Sequence, residues 1–172
     1  MTWLEIGKLL IAGLAGGAIV PYLTNIRDRR VARAAVAEQL AVVEGARWAG
    51  SGTWAEFIKA ITVFEAKAMI AGIPRPVVDH YTRLARVGRA TSEADVERTG
   101  GIEHSGGIGM KLSEVIKAAR DLIVDHVWHP HTAFLRRTAA LATIEEDVQK
   151  AIDNPNATGL ARVDWWHWTS RE

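Results

Sequence analysis

The first pattern along the chain is a long run of uncharged, mostly apolar residues. The eighteen residues from Leu9 to Ile26 carry no charge, and a helix of that length spans roughly 27 Å at about 1.5 Å per residue. The hydrocarbon core of a bilayer is about 30 Å thick. The run therefore predicts a single transmembrane helix, which makes residues 1–26 a membrane anchor.

A cluster of arginines follows this run and predicts its orientation. Arg27, Arg29, Arg30 and Arg33 come directly after it, and basic residues near a span stay on the cytoplasmic side. We expect the amino terminus outside and the rest of the chain in the cytoplasm, at the inner membrane, with the arginines contacting lipid head groups. A cleaved signal peptide and a buried helix of a soluble protein are the alternative interpretations.

Small residues inside the anchor bear on self-association. Gly13 and Gly17 form a G-x-x-x-G pair, which lets two helices approach closely within a bilayer. One interpretation is a homo-oligomer packed through this pair. The alternative is that the glycines are tolerated without any packing role, because their cost in a membrane helix is small.

Hydrophobic positions beyond the anchor recur at helical spacing. Residues 27–50 are rich in alanine and predict a helical stalk, with one apolar stripe at Val36, Leu40 and Val43 and a second through Val31 and Val42. Residues 51–155 predict a helical cytoplasmic domain, because no run alternates in the manner of a strand. The fold class predicted is all-α: an amino-terminal transmembrane helix continues into the stalk and then into a cytoplasmic helical bundle.

Caps and breakers divide the domain into predicted helices. Thr53 and Glu56 form a capping box, Pro76 suits the start of a helix, and Pro130 ends or kinks the helix before it. The predicted helices begin at Thr53, Pro76, Ser113 and Thr132, with an additional short helix over residues 92–98.

Composition excludes several classes of function. The chain has 172 residues, a formal net charge of +1, 48% hydrophobic residues and no cysteine. About 145 residues remain beyond the anchor, the size of one domain. The small net charge does not favour nucleic acid as a partner, and the absence of cysteine excludes disulfides, thiol catalysis and thiolate metal sites.

Three histidines near one predicted helix end are the candidate metal ligands. His126 and His129 share a helix face, His131 follows Pro130, and Asp125 is a neighbouring carboxylate that ligates or supports them. The spacing matches no established metal motif. The alternative is a structural role. His126 falls on the apolar stripe of its helix, which predicts a core imidazole with one hydrogen bond. His129 and His131 would then cap the carboxyl end of the helix and interact favourably with its dipole.

Other catalytic patterns are missing from the sequence. Lys111 follows Met110 rather than the glycine that a phosphate-binding loop requires, and the upstream segment is helical. No serine lies in a G-x-S-x-G elbow. The sequence therefore assigns no catalytic residue and no cofactor, with a metal at the histidines as the alternative.

The tail of the chain, residues 156–172, is rich in tryptophan. Three interpretations fit Trp165, Trp166 and Trp168: docking on the helical core, a place at the membrane interface, or an anchor for a protein partner. The sequence leaves these three interpretations open.

Layout provides one resemblance. The string Pro21-Tyr22-Leu23-Thr24 ahead of Arg29-Arg30, the alanine and arginine stalk and the run Asp125–His131 resemble small, uncharacterised single-pass membrane proteins of actinobacteria and their phages. The resemblance covers most of the chain without a diagnostic motif. It implies an amino-terminal anchor and a cytoplasmic helical domain, and it transfers no activity.

Together these patterns predict a membrane-anchored helical scaffold, adaptor or regulatory protein that acts through contacts with membrane lipids and an unidentified protein partner. One alternative is a metal-dependent enzyme that uses His126, His129 and His131. Another alternative is a phage or antiphage membrane effector.

Overall fold

The computed structural model of the chain describes residues 27–100 and 107–153. Every regular element in those two ranges is an α-helix, so the all-α fold is confirmed there. The predicted anchor with Gly13 and Gly17, and the tail with its three tryptophans, lie outside the described residues. Five helices follow in order: α1 (27–46), α2 (Trp54–Ile70), α3 (Arg75–Thr99), α4 (Met110–Trp128) and α5 (Pro130–Asp153).

A helix in the described ranges would need about 20 mostly apolar residues to cross a bilayer. None of the helices there combines the length and the apolar character needed to cross a membrane. The predicted transmembrane segment precedes residue 27 and lies outside the described residues.

α2 begins where the sequence predicts, because its amino end is closed by side chains. The Glu56 amide donates to Thr53 Oγ1 at 3.2 Å, and the Thr53 amide donates to Glu56 Oε2 at 2.7 Å. This reciprocal pair is the predicted capping box. Phe57, Ile61 and Phe64 on the following turns are buried, so the apolar face of α2 enters the core.

α3 is longer than predicted. It begins at Arg75 and continues to Thr99, so the additional short helix predicted over residues 92–98 is its carboxyl end. Gly100 closes it in a left-handed conformation, with φ of 78°. A Cβ at Gly88 would lie 2.8 Å from Ile116 Cδ1, so α3 and α4 approach closely there.

α4 and α5 form an antiparallel pair. α4 begins at Met110, three residues before the predicted start, and ends at Trp128. α5 begins at Pro130, because proline has no amide hydrogen to lose in a first turn. Three residues of α5 are buried: Ala133, Ile144 and Ala151.

The segment predicted as a stalk is an integral helix of the bundle. Val36, Leu40 and Val43 of α1 belong to one hydrophobic core with residues of α2, α3, α4 and α5. The Gln39 side chain donates to the Ala60 carbonyl of α2 at 3.2 Å. The second predicted stripe differs, because Val31 and Val42 are exposed. One apolar stripe of α1 therefore packs into the core, and the second stripe does not.

The helices connect at two opposite ends of the bundle. The basal end comprises the amino end of α1, the α2–α3 connection and the α4–α5 connection. The apical end comprises the α1–α2 connection and the two helix termini that flank residues 100–110. Residue 27, the first that the structure describes, lies at the basal end.

Candidate functional site

A cavity opens at the basal end of the bundle. Its volume is about 400 Å³, and it lies between α1, the α2–α3 connection and the α4–α5 connection. Most of its wall is apolar, and three side chains supply its polar groups. The lining residues are Arg33, Ala71, Gly72, Pro74, His126, Pro130, His131, Phe134 and Leu135.

His126 is the buried polar group of this wall. Its side chain is 4% exposed, and Nδ1 lies 2.8 Å from the carbonyl oxygen of Leu122 on its own helix. Because a carbonyl only accepts, Nδ1 carries the hydrogen and donates it. This is the core imidazole with one hydrogen bond that the apolar stripe predicts. Nε2, on the other side of the ring, is buried and has no hydrogen-bond partner in the described part of the chain.

Arg33 brings a cation to the same cavity. It is half-buried on α1, and no carboxylate of the residues described by the structure lies within ion-pairing distance of it. Arg27, Arg29 and Arg30 are exposed on the preceding turn. The four arginines therefore separate into three exposed surface charges and one that lines the cavity.

The three candidate metal ligands do not converge. His126 is buried, whereas His129 and His131 are exposed. Across residues 27–100 and 107–153, no group of three His, Cys, Asp or Glu side chains is placed to hold a metal ion. The cavity joins His126 and His131 to Arg33 instead, and a cation there favours an anionic ligand over a metal.

Large apolar side chains are exposed at the basal end of the bundle. Ile70 at the end of α2 is 79% exposed, and Leu135 at the start of α5 is 82% exposed. Met69, Trp128 and Phe134 are exposed beside them. We call these five residues the basal apolar surface. Such a cluster typically marks a surface that contacts a protein or a membrane.

No family model, curated protein or solved structure matches this chain. The geometry of the basal end is therefore the guide to its function.

A second polar cluster lies away from the cavity, between α1 and α3. The Tyr81 hydroxyl donates to Glu44 Oε1 at 2.8 Å, and Arg47 Nε donates to Glu44 Oε2 at 2.9 Å. Burial, and then the charge of Glu44, raise the pKa of Tyr81 well above its usual value. The groups are joined to one another, so this cluster holds helices together.

A smaller cavity of about 260 Å³ lies near the apical end, between α4 and α5. Lys150 lies in its wall and pairs with Glu146 at 2.9 Å and with Asp147 at 3.2 Å. Lys111, Glu114 and Asp147 line it as well, so carboxylates accompany its cations. No carboxylate of the described residues lines the basal cavity, which is therefore the stronger candidate for an anionic ligand.

Sequence reasoning missed the basal apolar surface, although one signal was present. Phe134 and Leu135 are adjacent, and successive helical residues point about 100° apart. Both therefore cannot lie on the narrow stripe that α5 buries through Ile144 and Ala151. No local sequence pattern indicated that Arg33 and His126 line the same cavity, because the two residues lie on different helices.

Proposed function

We propose that this protein is a membrane-anchored helical adaptor whose basal end rests on the inner surface of the membrane. The observation that carries the proposal is the coincidence of apolar and basic residues at one end of the bundle. Ile70 and Leu135 are exposed there, and Arg27, Arg29 and Arg30 lie at the amino end of α1. Apolar side chains enter the head-group region, and arginines attract anionic lipids.

The position of this end along the chain supports the same proposal. Residue 27 follows directly on the uncharged run from Leu9 to Ile26, for which the sequence predicts a membrane anchor. An anchor attached there keeps the basal end close to the head groups. The apical end then faces the cytoplasm, where the bundle presents its other surfaces to a protein partner.

The absence of cysteine makes a clean test possible. We would introduce Leu135→Cys at the basal end, attach an environment-sensitive fluorophore and reconstitute the full chain in vesicles containing phosphatidylglycerol. We expect a blue shift and quenching by brominated lipids, because the proposal buries position 135 among head groups.

The matched control is Met110→Cys at the apical end, where the side chain is 75% exposed. The fluorophore at position 110 should stay in water. Equal emission and equal quenching at the two positions would refute basal docking, and extraction of the full chain by alkaline carbonate would refute the anchor.

A further inference from the structure

The buried imidazole of His126 in the wall of the basal cavity has one nitrogen, Nε2, without a hydrogen-bond donor among the described residues. Nδ1 of His126 already donates to the Leu122 carbonyl. In the neutral ring Nε2 is then a lone-pair acceptor, and it has no partner in the described part of the chain. Leaving a buried polar atom unpaired is costly. A ligand hydroxyl that reaches into this cavity removes that cost.

The guanidinium of Arg33 is suited to bind an anion. It lines the same cavity, is half-buried, and has no carboxylate partner among the described residues. Guanidinium groups bind phosphate oxygens through two parallel hydrogen bonds, which are stronger than neutral ones. Because Arg33 already supplies a cation, a hydroxyl donor suits the site better than an ammonium group does.

The remaining wall of the cavity is mostly apolar and is suited to contact a hydrocarbon chain. Phe134 and Leu135 line the cavity and are also exposed on the surface beside it. A ligand held by Arg33 and His126 therefore leaves along an apolar path. A phosphodiester, a neighbouring hydroxyl and a hydrocarbon chain are the three parts of one class of molecule.

The geometry points to the basal cavity as a binding site for the head group of a hydroxylated anionic phospholipid, such as phosphatidylglycerol. This inference rests on the proposed membrane docking of the basal end. Arg33 binds the phosphate, His126 Nε2 accepts the head-group hydroxyl, and the acyl chains pass over Phe134 and Leu135. A soluble phosphate ester shares the polar chemistry and lacks the acyl chains.

The test is a calorimetric titration of the full chain in neutral detergent. The probes are short-chain phosphatidylglycerol, short-chain phosphatidylethanol, which has the same charge without the hydroxyls, and glycerol phosphate, which lacks the acyl chains. We expect phosphatidylglycerol to bind about fivefold more tightly than phosphatidylethanol, the effect of one hydrogen bond. Glycerol phosphate should bind more weakly than either lipid. Binding of glycerol phosphate as tight as that of the lipid would overturn the lipid assignment.

Two substitutions at position 126 distinguish the roles of the two ring nitrogens. His126→Asn retains an amide hydrogen near the position of Nδ1 and removes Nε2, whereas His126→Gln carries its amide towards the position of Nε2. We expect the asparagine variant to bind phosphatidylglycerol and phosphatidylethanol equally. The glutamine variant should keep the preference. A preference that survives in His126→Asn would overturn the role of Nε2.

A second pair of variants tests Arg33 even if His126→Asn does not fold. Arg33→Gln should weaken both lipids at least tenfold, since charged hydrogen bonds are lost. Arg136→Gln removes the same charge from an exposed position that does not line the cavity, and it should leave affinity unchanged. Equal losses of affinity in the two variants would show that general surface charge, rather than a specific site, binds the lipid.

These outcomes are distinct from those of the docking test. Titration in detergent does not require a bilayer, so lost selectivity alongside normal burial of position 135 would refute only the cavity site. Normal selectivity with position 135 in water would refute only the docking of the basal end.

Discussion

At the scale of single residues, the Tyr81 hydroxyl is the most sensitive reporter of the core. It is fully buried, its ring packs edge-on against Phe64 with centroids 5.2 Å apart, and its hydroxyl donates to Glu44. Ionising the phenol would place a second negative charge beside that carboxylate in a buried setting. The pKa of Tyr81 is therefore raised, and the folded chain holds the phenol proton more tightly than the unfolded chain does.

This difference predicts a loss of stability in alkali. An unfolded tyrosine titrates near pH 10, so the contribution of Tyr81 is complete below pH 10. It is lost above pH 10 at about 1.4 kcal/mol per pH unit. Tyr81→Phe should cost about 1 to 2 kcal/mol at pH 7, because a hydrogen bond to a carboxylate is lost. Its deficit should shrink above pH 10. Urea unfolding of both proteins from pH 7 to pH 11 measures this, and a constant deficit would contradict it.

At the scale of elements, one buried arginine holds the α1–α2 connection. Arg89 of α3 is 3% exposed. Its guanidinium donates to the Ala46 carbonyl at 2.9 Å and to the Gly52 carbonyl at 2.7 Å, and also to the Trp48 carbonyl. The carbonyls at the end of α1 have no partner within the helix. Arg89 satisfies that of Ala46 and also binds the Trp48 and Gly52 carbonyls of the connection, which fixes the direction in which the chain turns toward α2.

Removing Arg89 should destabilise the fold strongly. We expect Arg89→Met to cost about 3 kcal/mol, since it leaves the Ala46 and Gly52 carbonyls without their donor. Arg89→Lys should recover part of the loss, because lysine keeps the charge and lacks the planar fork. Chemical denaturation measures both. Arg83→Met, two turns earlier on α3 and half-buried, is the control, and equal losses at the two positions would show that the contacts of Arg89 are unimportant.

At the scale of the whole molecule, α1 couples the basal end to the core. Val43 is fully buried, whereas its neighbour Val42 is 50% exposed. A helix that formed a free stalk would contribute little to the stability of the remaining bundle. α1 contributes instead to the same core as Phe64 and Ile116, so the bundle should unfold together with it.

A pair of identical substitutions tests this coupling. Val43→Ala should lower the free energy of unfolding by about 2 kcal/mol, because two buried methyl groups are lost and a cavity remains. Val42→Ala should change it by less than about 0.5 kcal/mol. Thermal unfolding followed by circular dichroism measures both. Equal effects, or a core transition that Val43→Ala leaves in place, would favour the independent stalk.

The amino-acid sequence by itself determined the helical class and most helix boundaries of the described residues. Thr53 with Glu56 starts α2, and Pro130 separates α4 from α5, because caps and prolines act within a few residues. The single hydrogen bond of His126 also followed from its place on an apolar stripe, since its acceptor lies one turn away.

Only the tertiary structure decided which surfaces of these helices are buried and which meet. Val36 and Val31 both lie on apolar stripes of α1, yet only Val36 is buried, because burial depends on where the other helices pack. Arg33 and His126 line one cavity although they are far apart in sequence. Local periodicity holds no information about such pairings, which arise from the way the five helices share one core.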